Sequence, residues 1–115
     1  MATPSLVGPF PLTPTGINLN QAPGSPAAYC LGTIGGDGRF VAGYVGRVDD
    51  GLAAHLRSYI GSKQYDVFMY ALAVSPQRAF AMECHIYHSF TPRDNTTHPA
   101  RPATAGWVCP ACGKL

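Results

Sequence analysis

Six of the eleven prolines fall within residues 1–26, and this placement limits what the chain can fold into more than any other feature. Proline lacks an amide hydrogen and holds φ at about −65°, so the segment is expected to run extended and to lack regular helix. Leu6, Val7, Phe10, Leu12, Ile17 and Leu19 make it too apolar for a solvated tail. Part of it should therefore pack across the surface of a domain that begins near residue 27. A chain of 115 residues has room for one such domain with a modest core, which divides the sequence into a leader, 1–26, and a domain, 27–115.

Within the domain, AAYCLGTI (27–34) and RFVAGYVG (39–46) are rich in strand-favouring residues and flank Gly35-Gly36-Asp37-Gly38. A β-hairpin is expected there. A helix should follow, capped by Asp49 or Asp50, with Leu52, Leu56, Tyr59 and Ile60 at helical spacing and Gly61 ending it. YDVFMYALAV (65–74) is short, apolar and partly β-branched, the pattern of a third, buried strand. Ser75-Pro76 then supplies an N-cap followed by proline at the first helical position, and Thr91-Pro92 stops that second helix after about Ser89. The expected architecture is an α/β (α+β) domain with a small three-stranded antiparallel sheet flanked by helices.

Residues 91–115 carry several prolines and few large apolar side chains, so they need a staple to be ordered. Cys109-Pro110-Ala111-Cys112 offers half of a zinc site, since a tight turn lets both thiolates converge on one ion. A CxxC pair also serves redox chemistry, although that use normally sits at a helix N-terminus beside a strand. Cys84 and His88 stand four apart on the second helix, on one face, and would complete a Cys3His tetrahedron for structural Zn2+. His98 and His85 are alternative fourth ligands, and Cys84 as a buried small hydrophobe with His88 on the surface is the reading without metal.

The net charge of +2 excludes a protein that coats nucleic acid by charge alone, so any such surface must be a local patch. Arg39, Arg47, Arg57, Lys63 and Arg78 are its candidates. The N-terminal residues lack the pattern of a signal peptide and no apolar run approaches a membrane span. The expected compartment is a reducing cytoplasm, where cysteines ligate metal more readily than they form disulfides.

Ala28-Tyr29-Cys30-Leu31, then Tyr44-Val45-Gly46-Arg47 across the hairpin, a helix from near Leu52, and AFAMECHIYH together resemble the GIY-YIG endonuclease superfamily. The C-terminal Asp94-Asn95, His98-Pro99, Arg101-Pro102, Trp107 and CPAC are similar to the tail of its small bacterial and phage members. The likeness spans roughly residues 27–112. It implies that Tyr29 and Tyr44 line one cleft, that Glu83 binds a catalytic divalent cation, Mg2+ or Mn2+, and that the substrate is nucleic acid, DNA before RNA. The sequence departs from the family in its first motif, where Ala27-Ala28-Tyr29 stands for Gly-Ile-Tyr. It departs again in the first helix, where His55 and Tyr59 occupy the places of an arginine and a histidine. Arg47 is the remaining candidate for a phosphate contact, and His55 either contacts phosphate or packs as a hydrogen-bonded imidazole.

Three functional classes follow. The first is a metal-dependent nuclease using Tyr29, Tyr44, Glu83, Arg47 and His55. The second is a nucleic-acid binder of the same fold that has lost catalysis. The third is a zinc-stapled interaction module that meets a protein partner through its proline-rich leader or the HPARP segment. Adjacent residues on a helix differ by about 100°, so Glu83 can face the sheet while Cys84 and His88 face the tail.

Overall fold

The computed structural model describes residues 6–19, 25–60, 64–90, 92–94, 99, 106–107 and 109. In chain order the elements are β1 (Val7–Pro11), α1 (Pro14–Asn18), β2 (Ala27–Ile34), β3 (Phe40–Val48), α2 (Leu52–Arg57), β4 (Val67–Leu72) and α3 (Pro76–Phe90). The strands form one antiparallel sheet in the order β1-β4-β2-β3, an α+β architecture with four strands where the sequence led us to expect three.

The additional strand comes from the leader. β1 pairs Val7 with Tyr70, Phe10 with Phe68 and Pro11 with Val67 of β4. An edge strand uses one side of its backbone only, so its two prolines remove few ladder hydrogen bonds. The leader also holds a helical turn, α1, against the expectation of none. Thr13 caps it by accepting a hydrogen bond from the Gly16 amide at 3.1 Å, and Pro14 occupies the first turn, where an amide hydrogen has no partner anyway. Leu12 and Ile17, 6% and 1% exposed, anchor this segment, each contributing about 1.5–3 kcal/mol of burial free energy.

β2 is a central strand, with Ala27 through Leu31 almost wholly buried, which explains its near-continuous apolar reading. Strand pleating divides its neighbours between two faces. On one face Tyr29, Leu31 and Phe68 pack with Ile17 of α1 and with Leu52 and Leu56 of α2. On the other, Ala28, Cys30 and Val45 pack with Ile86 of α3, flanked by Met82 and Phe90. The Arg57 guanidinium donates to Asn18 Oδ1 at 2.6 Å and ties α2 to α1.

Both long-range helices start near the expected places, but with different caps. α2 begins after Gly51, at φ 76° in the left-handed region, with no side-chain cap, while Asp50 accepts from the Gly51 amide at 2.6 Å. Glycine takes this backbone at little cost, so neither aspartate caps the helix itself. α3 starts as read from the sequence: the Arg78 amide donates to Ser75 Oγ at 3.2 Å, and Pro76 is the first helical residue. Beyond α3, the Asp94 amide donates to the Gly43 carbonyl at 2.7 Å, and the Tyr65 hydroxyl donates to Asp94 Oδ2 at 2.7 Å. The chain after α3 is thereby held against β3, the outer strand. No described helix is long and apolar enough to cross a membrane.

Candidate active site

Tyr29 stands opposite Gly46 in the β2–β3 ladder, and the missing side chain at 46 is what admits its ring. A Cβ there would lie 2.6 Å from Tyr29 Cζ and closer still to the hydroxyl. Gly46→Ala should therefore lower stability by about 1–3 kcal/mol through overpacking, measured as a fall in the denaturation midpoint, and Tyr29→Leu in the same chain should recover part of the loss. The tyrosine of one strand and the glycine of the next thus form a single packing unit.

On this face the phenols converge with α2. The Tyr29 hydroxyl lies 2.7 Å from His55 Nε2 and 3.3 Å from the Tyr59 hydroxyl. The ring of Tyr44 is 6.3 Å from that of Tyr29 and 5.9 Å from that of Tyr59, centroid to centroid. α2 closes with the Ser58 hydroxyl donating to the His55 carbonyl at 2.6 Å, and the following turn brings Tyr59 beneath the imidazole, 5.6 Å away. Tyr29 is 1% exposed, whereas His55 is exposed and Tyr44 and Tyr59 are half-buried. A molecule arriving from solvent therefore meets His55 and Tyr44, with Tyr29 behind them.

Electrostatics reinforces this division. Burial, then hydrogen bonding to Tyr59, then the nearby Tyr59, Tyr44 and Glu83 groups push Tyr29 far above the usual phenol range. Burial, Tyr59 and Glu83 raise Tyr44 as well. Both phenols are thus held in the hydroxyl form, as hydrogen-bonding groups and not as phenolate bases. Partial burial shifts His55 the other way, below the usual imidazole value, so the ring is neutral near pH 7. Its Nε2 either accepts from the Tyr29 hydroxyl or donates to its oxygen, according to tautomer.

Glu83 is 7% exposed and sits on α3. Arg47 donates to its Oε1 at 2.5 Å, and the guanidinium carbon lies 5.2 Å from the centre of the Phe80 ring. The ladder pairs Tyr29 with Gly46 and Ala28 with Arg47, so Arg47 projects from the face opposite the tyrosines. Glu83 meets Arg47 on that opposite face, and its charge is the smallest of the influences that raise Tyr29 and Tyr44. Of the residues singled out in the sequence, Tyr29, Tyr44 and His55 come together directly, whereas Glu83, expected in the same cleft, pairs with Arg47 on the other face of the sheet. Arg47, the expected phosphate contact, is half-buried and engaged by Glu83.

Cys84 and Cys109 are both buried and share one cluster with Phe80, against which Trp107 packs. His88, one turn beyond Cys84, is exposed with its ring edge-on to Tyr87 at 5.3 Å. Cys112 and His98 lie outside the described residues. Among the described residues no three of His, Cys, Asp and Glu gather where an ion could be held.

Of the expected basic patch, only Arg47 is drawn inward among the described residues, while Arg39, Arg57 and Arg78 stay exposed. Arg47 is paired with Glu83, Arg57 with Asn18 and Arg39 with Asp37 at 3.6 Å, while Lys63 lies outside the described residues. Tyr59 is the residue of this site that sequence reasoning undervalued, because its spacing from Leu52 and Leu56 reads equally as core. Its position four residues after His55 was the available signal. Scans against protein-family models, curated proteins and solved structures find no match to this chain.

Proposed function

We propose that this chain is a divalent-cation-dependent nuclease that hydrolyses phosphodiester bonds, with DNA as the first substrate to examine. The observation that carries the reading is the Tyr29–His55 contact at 2.7 Å, set beside Tyr44 and Tyr59. A neutral imidazole oriented by a fixed partner is the arrangement general-base catalysis requires. When Nε2–H donates to the Tyr29 oxygen, the Nδ1 lone pair turns outward and can take a proton from water. The water oxygen then attacks phosphorus and displaces the ester oxygen, which takes up a proton from solvent as it leaves, while the protonated His55 returns its proton to solvent. The Tyr29 hydroxyl in turn donates a hydrogen bond to the Tyr59 oxygen, and the Tyr44 hydroxyl is placed to donate to a substrate oxygen.

Glu83 is the residue that would hold Mg2+ or Mn2+. Such a cation takes carboxylate, water and phosphate oxygens, and when bound it would neutralise charge building on the phosphoryl oxygens. Cys84 and Cys109, buried together, would supply two thiolates of a structural Zn2+ site with Cys112 and His88. Such thiols persist in a reducing compartment, which is the basis for a cytoplasmic setting.

The test is incubation of the full chain with single-stranded DNA, double-stranded DNA and RNA in Mg2+ or Mn2+, beside Glu83→Gln and Glu83→Ala. Cleavage by the wild type that disappears in a folded Glu83→Gln chain supports the reading, and cleavage that survives both substitutions rejects it. Salt-sensitive binding without cleavage would instead assign the chain to nucleic-acid binding. Neither activity would leave the zinc-stapled interaction module.

A further inference from the structure

β3 carries an irregularity beside the aromatic cluster. Leu31 pairs with Tyr44 and Gly32 with Ala42, so Gly43 is the extra residue of a bulge and has no partner on β2. The chain after α3 docks there: the Arg93 amide donates to the Ala42 carbonyl at 3.4 Å and the Asp94 amide to the Gly43 carbonyl at 2.7 Å. The absent side chain at 43 lets two groups approach. A Cβ in its place would stand 2.5 Å from Tyr65 Cε1 and 3.3 Å from Arg93 Nη2, so the Tyr65 ring and the Arg93 guanidinium both flank the residue next to Tyr44. The Tyr65 ring in turn meets that of Tyr59 edge-on at 6.4 Å. Arg93 therefore stands on the tyrosine face of the sheet, at the rim of the cluster formed by Tyr44, Tyr59 and His55.

Its orientation is set as well. Arg93 Nε lies 3.5 Å from Asp94 Oδ1, while Asp94 Oδ2 accepts from the Tyr65 hydroxyl at 2.7 Å, so each carboxylate oxygen is engaged by one neighbour. Burial, then the hydrogen bond and charge of Asp94, raise Tyr65 above the usual phenol range, and the Arg93 charge opposes them, as its nearness requires. The Arg93 side chain is nevertheless 58% exposed. It is a guanidinium held at Nε and more than half open to solvent.

We infer that Arg93 is the residue of this site that binds a backbone phosphate, the part the sequence assigned to Arg47. The inference rests on the reading of the cluster as a nucleic-acid site and involves no metal ion. Arg47 lies on the opposite face and is engaged by Glu83, and the nearby His55 is not a permanent cation. A guanidinium offers two parallel N–H groups to phosphate oxygens. A strand gripped by Arg93 is laid toward Tyr44 and His55, the groups that a molecule from solvent meets first.

The experiment is fluorescence anisotropy of a labelled single-stranded DNA oligonucleotide with the full chain, across a salt series and without added Mg2+ or Mn2+. The same oligonucleotide with neutral methylphosphonate linkages is the second probe. Wild type, Arg93→Gln and Arg93→Lys are compared, each checked for a cooperative melting transition. Arg93→Gln should bind the phosphate probe about 10-fold more weakly, the order of one charge-assisted contact, and the slope of log affinity against log salt should flatten by about 0.7. Arg93→Lys keeps the charge without the fork, so it should keep the slope and lose less affinity. On the methylphosphonate probe the three chains should bind alike. If Arg93→Gln fails to fold, the lysine variant decides by the same pair of probes: weaker than wild type on phosphate and equal to it on methylphosphonate. Equal affinity and equal slope in all folded chains overturn the assignment while leaving the cluster as a nucleic-acid site. A deficit of the same size on both probes overturns it too, because it marks a structural role. Failure of the wild type to bind either probe refutes both the phosphate contact and the nucleic-acid reading. Arg93-dependent binding by a chain that does not cleave when Mg2+ or Mn2+ is added leaves the phosphate contact standing and rejects the nuclease.

Discussion

Replacing Glu83 by alanine should lower the stability of the chain by about 3–5 kcal/mol, because it strands the Arg47 guanidinium, mostly buried, without its counter-ion. For a domain of this size that corresponds to a fall in melting temperature on the order of 10 °C or more. Glu83→Gln should fall less. The amide is nearly isosteric, and its oxygen can still accept from Arg47 Nη1, so the contact weakens from a charge-assisted to an ordinary hydrogen bond. Cleavage, in contrast, should disappear in both variants, since an uncharged side chain cannot hold the cation. Thermal denaturation measured beside the nuclease assay separates the two effects. Two variants of very different stability and equal inactivity mark a functional carboxylate. Loss of activity in proportion to loss of fold would mark a structural ion pair.

His55→Gln should reduce the cleavage rate by about 10²–10⁴-fold, the usual contribution of a positioned general base. The pH dependence makes this specific. The imidazole is held below its ordinary value of 6.5 by partial burial, and the base acts only when neutral. The rate should therefore rise with pH through a value lower than 6.5 and level off above it. In the variant that acidic limb should be missing. Tyr29→Phe keeps the imidazole but removes the atom that orients it, so it should retain the limb and lose less rate. Stability follows the same proton. Between the folded value and pH 6.5 the unfolded chain binds more protons than the folded one. This contribution to stability is fully present above pH 6.5 and is lost as pH falls through the folded value. His55→Gln should flatten that part of the melting-temperature profile.

Much of the fold is legible where the determining interactions are local. The Gly-rich turn at 35–38 joins two strand-like runs, and the hairpin β2–β3 follows, its register shifting once between Leu31 and Gly32. Ser75-Pro76 announces α3 through a cap whose atoms all lie within four residues. The leader is different. Its prolines speak against helix and against an inner strand, and only the presence of β4 as an uncovered edge turns Val7–Pro11 into a strand. That pairing spans about sixty residues of sequence and has no local signature.

The site divides in the same way. That Tyr29, Tyr44 and His55 occupy neighbouring positions follows from the hairpin and the helix after it, and Glu83 on a partly buried helical face follows from its apolar neighbours at three before and four after. The residue types, their spacing and the secondary structure they favour were all contained in the amino-acid order. Which phenol is sealed from solvent, which ring nitrogen meets it and which cation neutralises the carboxylate were decided only by tertiary packing. Those properties depend on distances of a few ångströms between segments far apart in the chain, and on how much water the surrounding side chains exclude.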